Sequence, residues 1–170
     1  MIRECGERDF AAIRGIINDA AEAYRGVIPD DRWHEPYMSA EELRCELDAG
    51  VVFWGWEMSG ALTAVMGIQP VQDVTLLRHA YTLTSWQGRG IGSQLLAFLA
   101  GRLSGSVLVG TWAAAGWAIA FYSKHGFRLV SDEQKDYLLS TYWSISARQI
   151  ETSVVLANRA WLTSVNDSRS

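Results

Sequence analysis

The chain alternates between hydrophobic patterns of helical and of strand period. Apolar residues spaced at i, i+3 and i+4 from Phe10 onward predict a helix with Asp9 as its N-cap. Ser39 and Glu42 form a capping box before a second helix. By the same criteria, the predicted helices cover residues 10–24, 40–49, 91–103, 116–125 and 133–141.

Shorter runs rich in β-branched and aromatic residues predict strands. Two of these runs flank Met58-Ser59-Gly60 and indicate a hairpin with a short turn. Strands that alternate with helices in this way indicate a mixed α/β fold in which helices cover a central sheet. The predicted strands cover residues 51–57, 61–69, 74–83, 106–112, 127–130 and 149–157.

Length and charge narrow the class of protein. The 170 residues predict one domain over residues 1–165, and the small polar residues 166–170 predict a flexible tail. A net charge of −4 argues against a nucleic-acid partner that is bound by phosphate neutralisation. We see no signal-peptide pattern and no apolar run of membrane-spanning length, so we expect a cytoplasmic protein without a membrane partner.

The potential metal ligands are scattered along the sequence. Cys5 and Cys45 show neither a CxxC pattern nor another ligand spacing, and we expect both to be reduced thiols. The three histidines and the acidic residues likewise show no spacing typical of a metal site. The sequence therefore predicts no bound metal.

The most informative segment is a glycine-rich loop between a strand that ends near Leu83 and an apolar helix. Gly88, Gly90 and Gly92 fall within five positions. A strand, a glycine loop and a helix direct backbone N–H groups and the positive end of the helix toward one place, which suits a phosphate or diphosphate. A glycine-rich turn without a ligand is the competing interpretation of this loop taken alone.

Two other phosphate-binding classes fit the loop poorly. The chain has no Gly-Lys-Ser/Thr, which a Walker A loop requires. A dinucleotide-binding loop requires GxGxxG and an acidic residue ~20 positions further on, whereas these glycines fall as GxGxG and residues 107–111 contain no acid.

Two segments together resemble the GCN5-related N-acetyltransferase (GNAT) superfamily. The spacing Gln87-x-x-Gly90-x-Gly92 is similar to the acyl-CoA-binding loop of that superfamily. Residues 118–127, AIAFYSKHGF, resemble its second signature and follow in the expected order. The resemblance is closest to small-molecule acetyltransferases of the phosphinothricin type. It implies a central, mixed and mostly antiparallel sheet of about seven strands, splayed at the cofactor site and flanked by helices.

The same resemblance implies acetyl-CoA as co-substrate and assigns its contacts. The backbone amides of the glycine loop would hold the diphosphate, and the end of the preceding strand would pair with the pantetheine arm. Tyr122 would donate a proton to the departing thiolate. The implied cofactor-binding residues are Ala80, Tyr81, Thr82, Gln87, Gly88, Arg89, Gly90, Ile91, Gly92, Ser93 and Tyr122.

The chain departs from the superfamily pattern at two positions. Ala115 stands where an asparagine usually contacts the pantetheine arm, and Gly110 stands where some members carry a glutamate base. His79 is the best candidate for that base, because imidazole titrates near neutral pH. An ungapped register places Arg78 at the corresponding position, and a bulge would exchange the two residues. A water chain to bulk solvent is an equal alternative.

The acceptor is expected to bind over residues 24–37, and Tyr142, Trp143 and Ile145 form a second candidate lining. Aromatic and acidic residues in these segments suit an amine with an apolar body. A homodimer interface would be enriched in the same aromatic residues.

We therefore expect an enzyme that moves acetyl from acetyl-CoA directly to a primary amine of a small molecule. The alternatives are a non-catalytic acyl-CoA-binding sensor or regulatory module and, in a third class, a dinucleotide-binding protein.

Overall fold

Seven strands form one open, mixed sheet in the computed structural model, which describes residues 1–169. The strands are β1 (Ile2–Glu4), β2 (Val52–Met58), β3 (Ala61–Val71), β4 (Val74–Thr82), β5 (Val107–Trp112), β6 (Arg128–Leu129) and β7 (Ser153–Ala157). Their order across the sheet is β1-β2-β3-β4-β5-β7-β6, and the pairs β1–β2, β2–β3, β5–β7 and β6–β7 are antiparallel. This confirms the predicted fold class; the splay at the cofactor site stays a prediction.

Helices flank the sheet. In chain order they are α1 (Phe10–Ala21), α2 (Ala40–Asp48), α3 (Ile91–Ala100), α4 (Gly116–Lys124), α5 (Asp132–Tyr142), α6 (Ala147–Glu151) and α7 (Arg159–Asp167). Short 3₁₀ turns cover Glu7–Asp9, Glu22–Tyr24, Asp30–Arg32 and Thr84–Trp86. In the described part of the chain, no helix has both the length and the apolar character needed to cross a membrane.

The hairpin of β2 and β3 has the predicted position. Val52 pairs with Ile68 at one end and Met58 with Ala61 at the other. Ser59 and Gly60 both have positive φ, 52° and 82°, which is the conformation of a two-residue hairpin turn that matches strand twist.

The prediction that Asp9 caps α1 is wrong. It has helical φ and ψ and makes no side-chain cap. Its carboxylate instead accepts two hydrogen bonds of 2.9 Å from Arg3 and one of 2.8 Å from the Gly6 amide. The Arg3 guanidinium therefore binds the Asp9 carboxylate, which the sequence pattern assigned to the start of α1. By contrast, Ser39 and Glu42 form the predicted capping box of α2.

The predicted strand over 149–157 is wrong in its first part. Residues 147–151 form α6, which begins where the Ser146 hydroxyl accepts from the Gln149 amide, and only Ser153–Ala157 is strand. β1 and α7 were not predicted. β1 has three residues, too few to show an alternating pattern, and α7 begins after Asn158, whose side chain caps it.

The chain divides into two compact units. The first comprises Met1–Arg25, Trp33–Gln69 and Leu77–Arg102, and the second comprises Gly26–Arg32, Pro70–Leu76 and the residues from Leu103 onward. The single domain over 1–165 therefore stays a prediction. The flexible tail over 166–170 also stays one: α7 extends through Asp167, and Ser170 lies outside the described residues.

Each unit has its own apolar core. In the first unit, α1 and α2 pack on β2 and β3, and the buried residues are Ile13, Ile16, Ile17, Met38, Leu43, Val51, Phe53, Leu62 and Val65. In the second unit, α5 packs on β7, and the buried residues are Val74, Leu76, Leu108, Leu138, Leu139, Val155 and Ala157.

Candidate functional site

The glycine-rich loop joins β4 to α3 in the first unit. Its start is fixed where the Thr84 amide donates a 2.6 Å hydrogen bond to the Asp19 carboxylate. Gly88 and Gly90 have φ of 76° and 75°, a left-handed conformation that costs an L residue roughly 1–2 kcal/mol. Gly90 is the N-cap of α3 and provides no capping side chain. The first turn of α3 therefore begins in an exposed loop without a capping side chain from its N-cap residue.

The surface above these glycines is open. A Cβ atom at Gly88 would meet nothing within 4 Å, and one at Gly90 would meet only the Gln94 amide nitrogen, at 3.8 Å. Of the predicted loop residues, Gly88 and Gly90 are exposed, Gly92 and Ser93 are half-buried, and Ile91 is buried in the core. An anionic group can thus approach the main chain directly.

Two side chains of the loop have structural partners. The Gln87 side-chain amide donates a 3.1 Å hydrogen bond to the Thr82 carbonyl and so ties the loop to the end of β4. The Arg89 guanidinium lies 4.5 Å from the Trp86 ring centroid and donates to the Ser85 carbonyl. Stacking on the indole holds this positive charge beside the glycines, where it favours an anion.

The end of β4 carries the remaining predicted cofactor contacts. Ala80, Tyr81 and Thr82 are half-buried. The Tyr81 ring packs on the first core, edge-on to Tyr24 with centroids 6.3 Å apart. Burial, followed by the neighbouring Tyr24 and Tyr37, raises the pKa of Tyr81 well above its usual value. This phenol therefore stays neutral, and the proposed cofactor contact of Tyr81 belongs to its backbone.

His79 lies at an irregular point of β4. Its φ is 54°, and its ring stacks on Phe53 with centroids 5.9 Å apart. Nε2 is 3.0 Å from the Glu46 carboxylate, which also binds Arg78 at 2.8 Å. Burial lowers the pKa of His79 more than the hydrogen bond to Glu46 raises it. His79 is therefore mainly neutral at pH 7, which is the protonation state of a base.

Tyr122 belongs to the second unit. It is 6% exposed on α4 and makes edge contacts with Phe121 and Phe127, at 5.1 and 5.9 Å between centroids. The Tyr122 carbonyl accepts hydrogen bonds from the His125 and Phe127 amides, which close the end of the helix. The structure thus groups residues 79–93 in one unit and Tyr122 in the other.

The two departures from the superfamily pattern have structural counterparts. Ala115 is fully buried at the start of α4. A Cβ atom at Gly110 would lie 3.3 Å from the Trp143 ring and 3.6 Å from Leu139. The indole therefore fills the space that a carboxylate side chain on β5 would need.

The candidate acceptor segments are aromatic in both units. In the first unit, Tyr37 stacks on Trp33 and contacts Tyr24, and Arg25 lies over the Trp33 ring and pairs with Glu35. In the second unit, Tyr142, Trp143 and Ile145 pack against the core, and the Tyr142 hydroxyl donates to Asp73.

The sequence pattern missed Glu46, which contacts the predicted site residue His79, and Asp19, which binds the Thr84 amide at the start of the loop. Their partners lie 33 and 65 positions further along the chain, and no local spacing indicates such contacts. Among residues 1–169, no group of three or more His, Cys, Asp and Glu side chains is placed to hold a metal ion.

The solved structures that share this fold include three named enzymes. The PaiA N-acetyltransferase of Thermoplasma acidophilum, in complex with coenzyme A, superposes with a TM-score of 0.66 at 16% identity over 93% of this chain and 97% of its own. The ribosomal-protein-S18-alanine N-acetyltransferase of Escherichia coli superposes with a TM-score of 0.64 at 17% identity, over 93% of this chain and 92% of its own. The N-acetylglutamate synthase of Neisseria gonorrhoeae, complexed with coenzyme A and N-acetyl-glutamate, superposes with a TM-score of 0.64 at 19% identity, over 94% of this chain and 35% of its own. These identities establish a common fold and no more.

A family model matches within the chain itself. Residues 49–129, just under half of the chain, match the model described as acetyltransferase (GNAT) domain. No curated protein sequence matches the chain significantly. The matched segment runs from the end of α2 to the end of β6 and includes the glycine loop, His79 and Tyr122. Residues 49–129 are therefore similar to a GNAT acetyltransferase domain, and this match confirms the enzyme class expected from the sequence.

Proposed function

We propose that this protein transfers acetyl from acetyl-CoA directly to a primary amine of a small molecule. One observation carries the proposal. The segment from β4 through the loop to α3 has two left-handed glycines whose Cβ positions are open, and its helix starts without a capping side chain from Gly90; it lies within the residues that match the GNAT model. A phosphate-bearing co-substrate fits such a surface, because it needs amide donors and close access to the backbone.

The diphosphate would bind the backbone amides of residues 88–93. The positive end of α3 and the Arg89 guanidinium both favour negative charge there, although the whole chain carries a net charge of −4. The backbone of Ala80, Tyr81 and Thr82 would pair with the pantetheine amides. Gln87 supports this arrangement because it tethers the loop to Thr82.

Acetyl-CoA supplies an activated thioester, and the chain supplies the proton transfers. His79 takes one proton from the acceptor ammonium, and the freed amine forms the new C–N bond at the thioester carbonyl. A backbone N–H of β4 stabilises the oxyanion. As the C–S bond breaks, Tyr122 gives its hydroxyl proton to the thiolate and then regains one from the acetylated nitrogen. The proton on His79 passes to solvent, so one proton is released for each acetyl transferred.

The proposed acceptor is an amine with an apolar body. The rings of Tyr24, Trp33 and Tyr37 support an apolar or cationic partner near residues 24–37. The phosphinothricin-type specificity belongs to the same proposal. A protein N-terminus is the alternative acceptor, since one protein with this fold is named for ribosomal-protein alanine.

We further propose a cytoplasmic location and a homodimer. Two free cysteines in the described residues are compatible with a reducing compartment. Light scattering of the purified chain tests the dimer.

A non-catalytic acyl-CoA sensor is the second candidate. Ala115 at the start of α4 and the indole over Gly110 favour it, because both positions lack a polar group that the superfamily pattern provides. A panel of amines and N-terminal peptides, assayed for release of free CoA thiol, separates the candidates. We expect thiol release with at least one small amine. A thermal shift by acetyl-CoA with no turnover across the panel would favour the sensor, and a shift by NAD instead of acetyl-CoA would contradict both.

A further inference from the structure

His79 has a backbone conformation that its own side chain disfavours. A φ of 54° within β4 is left-handed, and a residue other than glycine keeps this conformation only when its surroundings hold it in place. Strain of this kind concentrates at functional sites. The contacts that hold His79 are therefore informative.

Glu46 on α2 is the central contact. Its Oε2 atom is 3.0 Å from His79 Nε2 and 2.8 Å from Arg78 Nη1. Its Oε1 atom accepts from Arg78 Nη2 at 3.3 Å. Arg78 is fixed in turn by a 3.1 Å hydrogen bond to Gln69, whose amide donates to the Ala49 carbonyl at the end of α2. One carboxylate thus binds two consecutive residues of β4.

This arrangement determines which imidazole nitrogen carries hydrogen. Burial raises the pKa of Glu46, but the hydrogen bond from His79 and the charges of His79 and Arg78 outweigh it, so the pKa lies below its usual value. At neutral pH the carboxylate is ionised and can only accept. Nε2 of His79 must therefore be the donor, which leaves the lone pair of the neutral ring on Nδ1.

Two opposite charges act on the ring. Among the described residues these are Glu46 from α2 and Arg78 from β4; β2 contributes the uncharged Phe53 ring, and β3 contributes Gln69, which binds Arg78. Glu46 favours the charged imidazolium and Arg78 opposes it. The ring therefore has both a fixed orientation and a tuned proton affinity.

We propose that Glu46 and Arg78 are positioning residues that hold His79 with Nδ1 as its basic atom, and that Nδ1 takes the proton of the acceptor amine. This inference rests on the proposed function and adds the atom that accepts the proton and the two residues that control it.

The first test is nuclear magnetic resonance of histidine-labelled protein, which needs no activity. His79→Asn identifies the signal among three histidines, and asparagine tolerates left-handed φ. We expect the ¹⁵N shifts of neutral His79 to show a protonated Nε2 and an unprotonated Nδ1. A ring protonated at Nδ1 would overturn the proposal.

The second test is the pH dependence of kcat/KM. Glu46→Gln removes the negative charge, so we expect its acid limb to move down by about half a pH unit or more; Arg78→Gln should move the limb up. Glu41→Gln, exposed on the same helix, is the matched control. Limbs that stay at the wild-type pH in both charge variants would overturn the proposal, because a purely structural role predicts lower activity without opposite shifts.

The third test is the loss of the base. We expect His79→Asn to lower kcat about 100-fold while the Kd for CoA stays the same. Wild-type kcat in this variant would contradict the base assignment alone. Absence of acetyl transfer in the wild-type protein, or of CoA binding, would show instead that the proposed function is wrong, and the present inference would fail with it.

Discussion

Single residues determine how the glycine loop and the candidate base are formed. Gly88 and Gly90 adopt φ near 75° in an exposed loop, where only glycine combines that conformation with open access to the main chain. His79 adopts a similar φ without being glycine and is held by Glu46 and by stacking on Phe53. The conformation of the loop is therefore possible because glycine has no side chain, whereas the conformation of His79 is maintained by specific contacts.

We expect Gly90→Val to weaken coenzyme A binding at least tenfold, because a branched side chain at positive φ distorts the loop and crowds the proposed diphosphate position. Gly60→Val is the matched control, since Gly60 has φ of 82° in the β2–β3 turn and also faces open space. Both variants should lose about 1–2 kcal/mol of unfolding free energy, and only Gly90→Val should lose affinity in calorimetric titration. Equal affinities would contradict the assignment of the loop.

We expect Tyr122→Phe to lower kcat about 100-fold and to leave the Kd for CoA unchanged. The variant keeps the ring that packs on Phe121 and Phe127 and loses only the hydroxyl. Tyr137→Phe, at a side chain that is 66% exposed, is the control. Steady-state kinetics measure both, and a full rate for Tyr122→Phe at every pH would rule out the proton-donor role.

At the scale of elements, helix starts are well defined by local chemistry. Ser39 with Glu42 and Ser131 with Gln134 each form a reciprocal capping box, so two orphan N–H groups are satisfied at each start. The boundary of α2 could be predicted from these residue types because the interaction spans only four positions.

We expect Ser39→Ala to reduce the free energy of unfolding by about 1 kcal/mol, since the Glu42 amide loses its 3.0 Å acceptor. Ser39→Asn restores a capping side chain and should recover most of that loss. Urea denaturation of the three proteins measures the difference. Equal midpoints for wild type and Ser39→Ala would show that the cap does not contribute to stability.

Other features could not be predicted because they depend on contacts between distant residues. The N-cap assignment of Asp9 failed because Arg3 on β1 competes for its carboxylate. The first part of the strand assigned at 149–157 failed for a local reason instead, because the Ser146 cap starts a five-residue helix before the apolar residues of β7. The position of the glycine loop could be predicted because its glycine spacing lies in consecutive residues, and its binding role stays a prediction. Glu46, which reaches β4 from α2, carries no such local signal.

At the scale of the molecule, ion pairs connect β1 to the start of α1 and to β2. Arg3 on β1 binds Asp9 before α1 and Glu57 on β2, with N–O distances of 2.9 and 2.6 Å. The hydrogen bond from Arg3 lowers the pKa of Asp9 to about 2. An acid whose pKa falls on folding stabilises the folded state above its unfolded pKa, and that contribution disappears as the pH falls toward the folded value.

We therefore expect part of the stability to be lost between about pH 4 and pH 2, with a contribution of about 1–2 kcal/mol from Asp9. Asp9→Asn should be less stable than wild type at pH 7 by a similar amount, and the difference should narrow as the pH falls through this window. Asp48→Asn, at an exposed position, is the control. Urea unfolding at several pH values measures the curves; a difference independent of pH would contradict the role of the ion pair.

The contact between Gly110 and Trp143 limits how this protein could be re-engineered. A glutamate introduced on β5 at that position would begin 3.3 Å from the indole ring, so a single exchange brings a clash rather than a new base. Trp143 would have to be replaced by a smaller residue at the same time, and this replacement would leave a cavity beside Leu139. Introducing a carboxylate base on β5 would therefore require paired changes, and the proposed histidine base of β4 is the simpler residue to modify.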